Sequence, residues 1–154
     1  MIRISISKQC LSHRNHAGVW HHYAISTASQ GFGNIRNSWQ TPLGKHCIYQ
    51  KIGENMPIFT IFRARKAHGV YEQGIHDAKK DWILSRILWL EGTQTGFNRR
   101  GQVDTRSRYI YIHGTHDEEH IGSPQSHGCI RMKNDDVIEL FNQVSVGESV
   151  LISN

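Results

Sequence analysis

A short alternating run that ends on a histidine constrains this chain more than any other feature. Residues 109–115 read Tyr-Ile-Tyr-Ile-His-Gly-Thr, a pattern that predicts a β-strand with His113 at its end. Residues 126–132 read Ser-His-Gly-Cys-Ile-Arg-Met and place Cys129 between a glycine and a second apolar run. The stretch between them is rich in His, Asp, Glu, Gly and Pro, as loops are. A strand, a loop and a returning segment of this kind can bring an imidazole and a thiol together.

Such a pair would permit nucleophilic cysteine chemistry. A free thiol has a pKa of about 8.5 and is only slightly ionised at neutral pH, so it needs a base such as His113. The carbonyl of Gly114 is the predicted group that orients the imidazole. The backbone N–H groups of Gly128 and Cys129 are the predicted oxyanion donors. Cys129 should then be the thiol that is alkylated fastest at neutral pH, although the spacing alone also allows a buried core thiol beside a structural histidine.

Metal binding is the rival chemistry. Zinc prefers His and Cys ligands, and five of them lie within one short stretch: His113, His116, His120, His127 and Cys129. His116 and His120 fall in a polar loop, however, with no helix to hold them on one face, and the spacing matches no metallopeptidase motif. We therefore predict neither a metal nor another cofactor.

The rest of the pattern predicts one mainly β domain over residues 1–154. Seven or eight short strands should form two packed mixed sheets, resembling a β-sandwich, with one main helix after Cys129. Asn134 is the predicted N-cap of that helix, and Gly147 should end the unit. Residues 63–68 are interpreted as a solvated turn, Cys47 as a small core residue, and the arginine-rich loop 91–108 as a wall facing the substrate.

Composition limits the classes of partner that we expect the chain to bind. Lys and Arg number 18 against 13 Asp and Glu, which favours an anionic partner. The basic residues are dispersed and no recognition helix appears, so nucleic-acid binding is not predicted. No segment approaches the ~20 apolar residues of a membrane span, so no membrane partner is predicted either. Three cysteines without a Cys-x-x-Cys spacing (Cys10, Cys47 and Cys129) do not form a disulfide framework.

Two motifs resemble a known family. His113-Gly114-Thr115 followed by Ser126-His127-Gly128-Cys129-Ile130-Arg131 is similar to the signature of YkuD-type L,D-transpeptidase catalytic domains, and Thr41-Pro42-Leu43-Gly44 resembles that family's Thr-Pro-x-Gly turn. The resemblance implies a sandwich-like fold and a cysteine that cleaves the L,D bond before the terminal D-alanine of a peptidoglycan stem peptide through a thioacyl-enzyme. It also implies residue roles. Cys129 would be the nucleophile, His113 its base, Ser126 and His127 pocket residues, and Arg131 a holder of an anionic substrate group or of the catalytic loop.

The same resemblance leaves the outcome of the reaction open. The sequence begins without an export signal and carries no wall-binding repeat, so we expect a cytoplasmic protein if Met1 is the native start, and a periplasmic or cell-wall protein if a signal has been removed. A cytoplasmic enzyme would meet recycled tetrapeptide muropeptides, which favours hydrolysis by an L,D-carboxypeptidase. The alternative is a transpeptidase that forms 3→3 cross-links or exchanges D-amino acids. A muropeptide-binding module without turnover is a remote third possibility.

Overall fold

The computed structural model describes residues 1–154 and contains ten strands and one α-helix. The strands are β1 (Ile2–Ser5), β2 (Cys10–Arg14), β3 (Trp20–Ser26), β4 (Gly44–Ile52), β5 (Thr60–Arg63), β6 (Lys66–Val70), β7 (Ile83–Gly92), β8 (Tyr111–Gly114), β9 (Ile130–Met132) and β10 (Ser149–Ser153). The helix is α1 (Asn134–Gln143). No helix has the length and apolar character that crossing a bilayer requires.

The strands form one continuous sheet that closes on itself. Its order is β4-β10-β1-β2-β3-β9-β8-β7-β5-β6, and β4 also pairs with β7. Eight strands therefore make a barrel, and β5 and β6 extend from β7 as a hairpin. The β1/β10 and β8/β9 pairs are parallel, whereas the other pairs are antiparallel. The predicted mainly β fold with mixed strands and one helix is confirmed, and its two layers are opposite walls of a single sheet.

Buried and exposed residues alternate along the strands, and the buried ones form the core. In β1, Ile2 and Ile4 are buried while Arg3 between them is exposed, as a strand with one solvated face requires. The main core contains 19 buried residues, to which α1 and the residue after it contribute Val137, Leu140, Phe141 and Val144. Each such side chain stabilises the fold by roughly 1.5–3 kcal/mol through burial.

The start of α1 differs from the prediction. Lys133 is the N-cap, and Asn134 is the first helical residue. The Asn134 side chain turns inward instead, where its Nδ2 donates to the carbonyl oxygen of Thr115 at 2.7 Å and its Oδ1 accepts from Ser85 Oγ at 2.6 Å. The backbone N–H of Asn134 is met by the Glu118 carboxylate at 3.3 Å. A distant loop thus supplies the cap, and Asn134 fastens α1 to the end of β8 and to β7.

Three other local predictions need correction. Residues 66–70 are strand β6 rather than a solvated turn, and the hairpin turn is made by Ala64 and Arg65, both with positive φ. The helix stops at Gln143, before Gly147. At β4 the inward-facing residue is His46, while Cys47 is only partly buried.

Candidate active site

The register of two parallel strands brings Cys129 and His113 to one face of the sheet. Ile112 pairs with Ile130 and His113 pairs with Arg131, and both isoleucines point into the main core. Residues with the opposite parity therefore point outward. Cys129 lies one residue before β9, beside Tyr111, whose backbone N–H donates to its Sγ at 3.3 Å. The thiol and the imidazole are thus neighbours on the outer face of β8 and β9.

The imidazole of His113 is held in one orientation. Its Nδ1 lies 2.6 Å from the carbonyl oxygen of Gly114, so Nδ1 carries the proton and Nε2 is left as the basic atom. This is the contact that the sequence predicts for Gly114. A Cβ at Gly114 would lie 2.7 Å from the carbonyl oxygen of Leu84, so only glycine fits there. Burial lowers the pKa of His113, while the charge of Asp81 and the Gly114 hydrogen bond oppose that effect.

The thiol of Cys129 is neutral at rest. Burial raises its pKa to about 12, against the lowering effects of the Tyr111 N–H and of the Arg131 and Arg108 charges. Its S–H donates to the carbonyl oxygen of Tyr109 at 3.4 Å. A raised thiol pKa and a lowered imidazole pKa both favour thiol and neutral imidazole over the ion pair. The prediction of rapid alkylation at neutral pH is therefore not supported by the structure.

The turn before Cys129 is fixed by two hydroxyl groups. Ser126 Oγ donates to the carbonyl oxygen of Cys129 at 2.5 Å and accepts the N–H of Gly128 at 3.2 Å. Thr41 Oγ1 donates to the carbonyl oxygen of Gly128 at 3.0 Å and accepts the N–H of Ala28 at 3.0 Å. Gly128 has φ +135°, a conformation that suits glycine.

These bonds decide which amides can hold an oxyanion. The Gly128 N–H is already engaged by Ser126, contrary to its predicted role as a donor to substrate. The N–H of Cys129 has no partner within the chain and remains available. Ser126 itself is buried beneath the turn, so it shapes the site by holding backbone rather than by lining the pocket.

Asp81 is the site residue that sequence reasoning missed. Its Oδ1 lies 2.8 Å from Arg131 Nη2, and its Oδ2 lies 3.6 Å from His127 Nδ1. It comes from the loop between β6 and β7, which Trp82 anchors by donating its indole N–H to the carbonyl oxygen of Asp77 at 2.8 Å. Of the two roles considered for Arg131, this pairing supports holding the catalytic segment. Nothing in the sequence distinguishes Asp81 from the other acidic residues of its loop.

An open groove of about 430 Å³ lies beside the backbone that contacts the thiol, because Tyr109, whose carbonyl oxygen accepts from Cys129, lines it. It is lined by Arg36, Asn37, Trp39, Ser107, Arg108, Tyr109, Ile110 and His127. The predicted pocket residue His127 is therefore at the groove, where its exposed ring meets the Trp39 ring edge-on at 5.4 Å between centroids. Of the loop 91–108, only the last two residues reach this wall. Arg99 and Arg106 instead face Glu91, at 3.9 and 3.3 Å.

The histidines of loop 115–129 do not converge. His116 bonds the carbonyl oxygen of Ala78 at 2.8 Å, and His120 pairs with Asp117 at 2.6 Å. No three His, Cys, Asp or Glu side chains of the chain are grouped as a metal ion would need.

Comparison with known proteins decides the family. Residues 1–152 match YkuD, the L,D-transpeptidase catalytic domain. The chain belongs to this family. A Bacillus subtilis (strain 168) relative named "Putative L,D-transpeptidase YqjB" is 48% identical over 59 residues, which are 38% of this chain and 32% of that protein.

Solved L,D-transpeptidases share the fold. The enzyme from Mycobacterium smegmatis has a TM-score of 0.57 at 16% identity, covering 99% of this chain and 58% of that one. L,D-transpeptidase 3 of Mycobacterium tuberculosis with a faropenem-derived adduct gives 0.57 at 17%, covering 99% and 59%. A cysteine-to-serine mutant of the Enterococcus faecium enzyme gives 0.58 at 15%, covering 99% and 48%. This L,D-transpeptidase-family chain thus spans about half the length of those structures.

Proposed function

We propose that this chain is a cysteine acyltransferase domain that cleaves the L,D bond before the terminal D-alanine of peptidoglycan stem tetrapeptides. The observation that carries the proposal is the placement of Cys129 and His113 on one face of β8 and β9, at the border of an open groove. The family membership of residues 1–152 supports the same chemistry.

In the first half-reaction, Nε2 of His113 takes the proton of Cys129 as sulfur attacks the carbonyl carbon of the third, L-configured residue. The N–H of Cys129, which has no partner in the chain, donates to the oxyanion that forms. When the intermediate collapses, the carbon–nitrogen bond breaks and the imidazolium gives its proton to the departing amine of D-alanine. A thioacyl-enzyme remains. Because the thiol and the imidazole are both neutral at rest, the thiolate and the imidazolium form only as the substrate reacts.

In the second half-reaction, His113 removes a proton from the acceptor as it attacks the thioester, and the thiolate leaves and is reprotonated. We propose water as the main acceptor, which makes the domain an L,D-carboxypeptidase for tetrapeptide muropeptides. The groove supports this choice because it is open and because His127 beside the thiol is 62% exposed, so solvent reaches the acyl group. Transfer to an amine, giving 3→3 cross-links or D-amino acid exchange, is the second candidate, favoured by the names of the relatives.

One experiment separates these outcomes. A disaccharide tetrapeptide is incubated with the protein in ¹⁸O-labelled water, with and without an added D-amino acid, and the products are weighed by mass spectrometry. Tripeptide that carries one ¹⁸O indicates hydrolysis. Cross-linked dimer or an exchanged terminal residue indicates transpeptidation. Cys129→Ala should lose every product, whereas Cys47→Ala, which removes a thiol far from the groove, should lose none. Turnover that survives in Cys129→Ala, or no turnover in the unaltered chain, would reject the proposal.

A further inference from the structure

Arg36 is a guanidinium without a partner at the edge of the catalytic groove. It is exposed, lines the groove, and makes no side-chain hydrogen bond or ion pair within the chain. Its backbone is nevertheless fixed, because its N–H donates to the carbonyl oxygen of Gln102 at 2.7 Å. A fixed backbone with an unused charged group is the arrangement expected of a residue that meets a ligand.

The other arginine of the groove is already committed. Arg108 donates to the carbonyl oxygens of Gly33 and Gln40, at 3.2 and 2.6 Å, and to Ser38 Oγ at 3.3 Å. These bonds tie the loop that carries Arg36 to the catalytic side of the barrel. No aspartate or glutamate lines the groove. The groove is therefore positive, and Arg36 is its unpaired guanidinium.

The backbone directly after Arg36 contains two non-glycine residues with positive φ. Asn37 and Trp39 have φ of +62° and +59°, in the left-handed region that non-glycine residues rarely adopt. Such residues persist where the surrounding structure enforces them, and they cluster at binding sites. The contacts that enforce this conformation are those of Arg108. They hold the exposed Trp39 ring against His127 and direct residue 36 to the groove.

We propose that Arg36 binds the free C-terminal carboxylate of the acyl donor's terminal D-alanine. This inference rests on the proposed function, because it assigns one end of that substrate. The carboxylate belongs to the residue directly after the scissile carbonyl, and consecutive Cα atoms are only about 3.8 Å apart, so a donor bound at Cys129 can extend it past Tyr109 into the groove. A guanidinium recognises a carboxylate with two parallel hydrogen bonds. Arg36 thus restricts the enzyme to donors that end at this D-alanine.

Binding tests this without turnover. In a Cys129→Ala background, calorimetry measures the Kd of a synthetic stem tetrapeptide and of its C-terminal amide. We expect the acid to bind about tenfold tighter, the low end for a charge-assisted hydrogen bond at an open site. Adding Arg36→Gln should remove that preference by weakening the binding of the peptide acid alone. Arg36→Lys in its place should keep part of the preference. Arg99→Gln, which alters an arginine away from the groove, is the matched control and should keep the preference.

The inference is overturned if neither peptide binds, if the acid is not preferred, or if Arg36→Gln weakens acid and amide equally. Turnover of the tetrapeptide by protein with Cys129 intact is measured separately. An Arg36-dependent acid preference without turnover would uphold the carboxylate site and reject the proposed reaction. Turnover without such a preference would uphold the proposed reaction and reject the carboxylate site.

Discussion

Asp81 lies 2.8 Å from Arg131 and neutralises a guanidinium that is buried in β9, the strand that follows Cys129. The same carboxylate raises the pKa of both His113 and Cys129, although burial has the larger effect on each. One acidic residue from the β6–β7 loop therefore acts on both Cys129 and His113 without belonging to β8 or β9.

Asp81→Asn should shift the acid limb of the pH profile of kcat/KM to lower pH. Removing the carboxylate removes an effect that raises the pKa of His113, so the imidazole stays neutral at lower pH. Leaving Arg131 unpaired should also cost about 2 kcal/mol of unfolding free energy, less than for a fully buried pair because Asp81 is 28% exposed. The measurements are a pH–rate profile and urea unfolding. Glu72→Gln in the same loop is the control, and an identical shift there would contradict the assignment.

Cys129 should be alkylated slowly by iodoacetamide at pH 7, and its rate should rise about tenfold per pH unit up to its pKa, because only the thiolate reacts. The burial that raises its pKa to about 12 is the cause. A Cys10→Ser, Cys47→Ser double variant isolates the site for mass spectrometry. A carbapenem-type β-lactam should add faster than iodoacetamide at pH 7, since it resembles the acyl donor and can use His113. A rate that levels off between pH 7 and 8 would contradict the raised pKa.

Thr41→Val should lower kcat about tenfold or more and the unfolding free energy by roughly 1–3 kcal/mol, since the buried hydroxyl satisfies the Gly128 carbonyl and the Ala28 N–H. Valine has nearly the same shape, so the change isolates the hydrogen bonds. Thr93→Val removes a similar bond, to the carbonyl oxygen of Lys45 at 3.0 Å, at an exposed position away from the groove. Activity lost equally in both variants would mean that Thr41 has no special effect on the catalytic turn.

The fold should lose stability as the pH falls from about 6.5 to about 4. Burial lowers the pKa of His46 from 6.5 to about 4, so in this window the unfolded chain binds a proton that the folded chain does not. The free energy of unfolding therefore decreases towards acid pH, by about 3 kcal/mol in total for a pKa difference of this size. Urea unfolding at pH 7 and pH 4 measures it. His46→Gln should flatten that part of the dependence, whereas the exposed His68→Gln should not.

Sequence alone predicted what alternation and a local motif encode. The strand that ends on His113 and the apolar segment that follows Cys129 both follow from short-range patterns. β6 was missed because all five of its residues are exposed, so it carries no alternation between buried and solvated positions. The sequence predicts Asn134 as a cap because its actual partners, Ser85 and Thr115, are distant in the sequence and leave no local pattern.

The charge pairs and pKa values of the site are even harder to predict from the sequence. Asp81 and Arg131 are 50 positions apart, and no local pattern marks either as the other's partner. Motifs report residue type and so predict a reactive Cys129, whereas the pKa of its thiol depends on how far the surrounding fold removes it from water. Arg36 likewise gains its significance only when Arg108 is seen to be occupied.

The pairing of β1 with β10 decides whether the barrel can close. Ile2 lies against Val150, and Ser5 lies against Ser153, so the barrel is closed by residues at opposite extremes of the chain. Contacts of such long sequence separation form late and slowly. Without residues 149–153 the sheet would have no strand between β1 and β4, so the barrel wall that includes β8 and β9 would stay open at that seam.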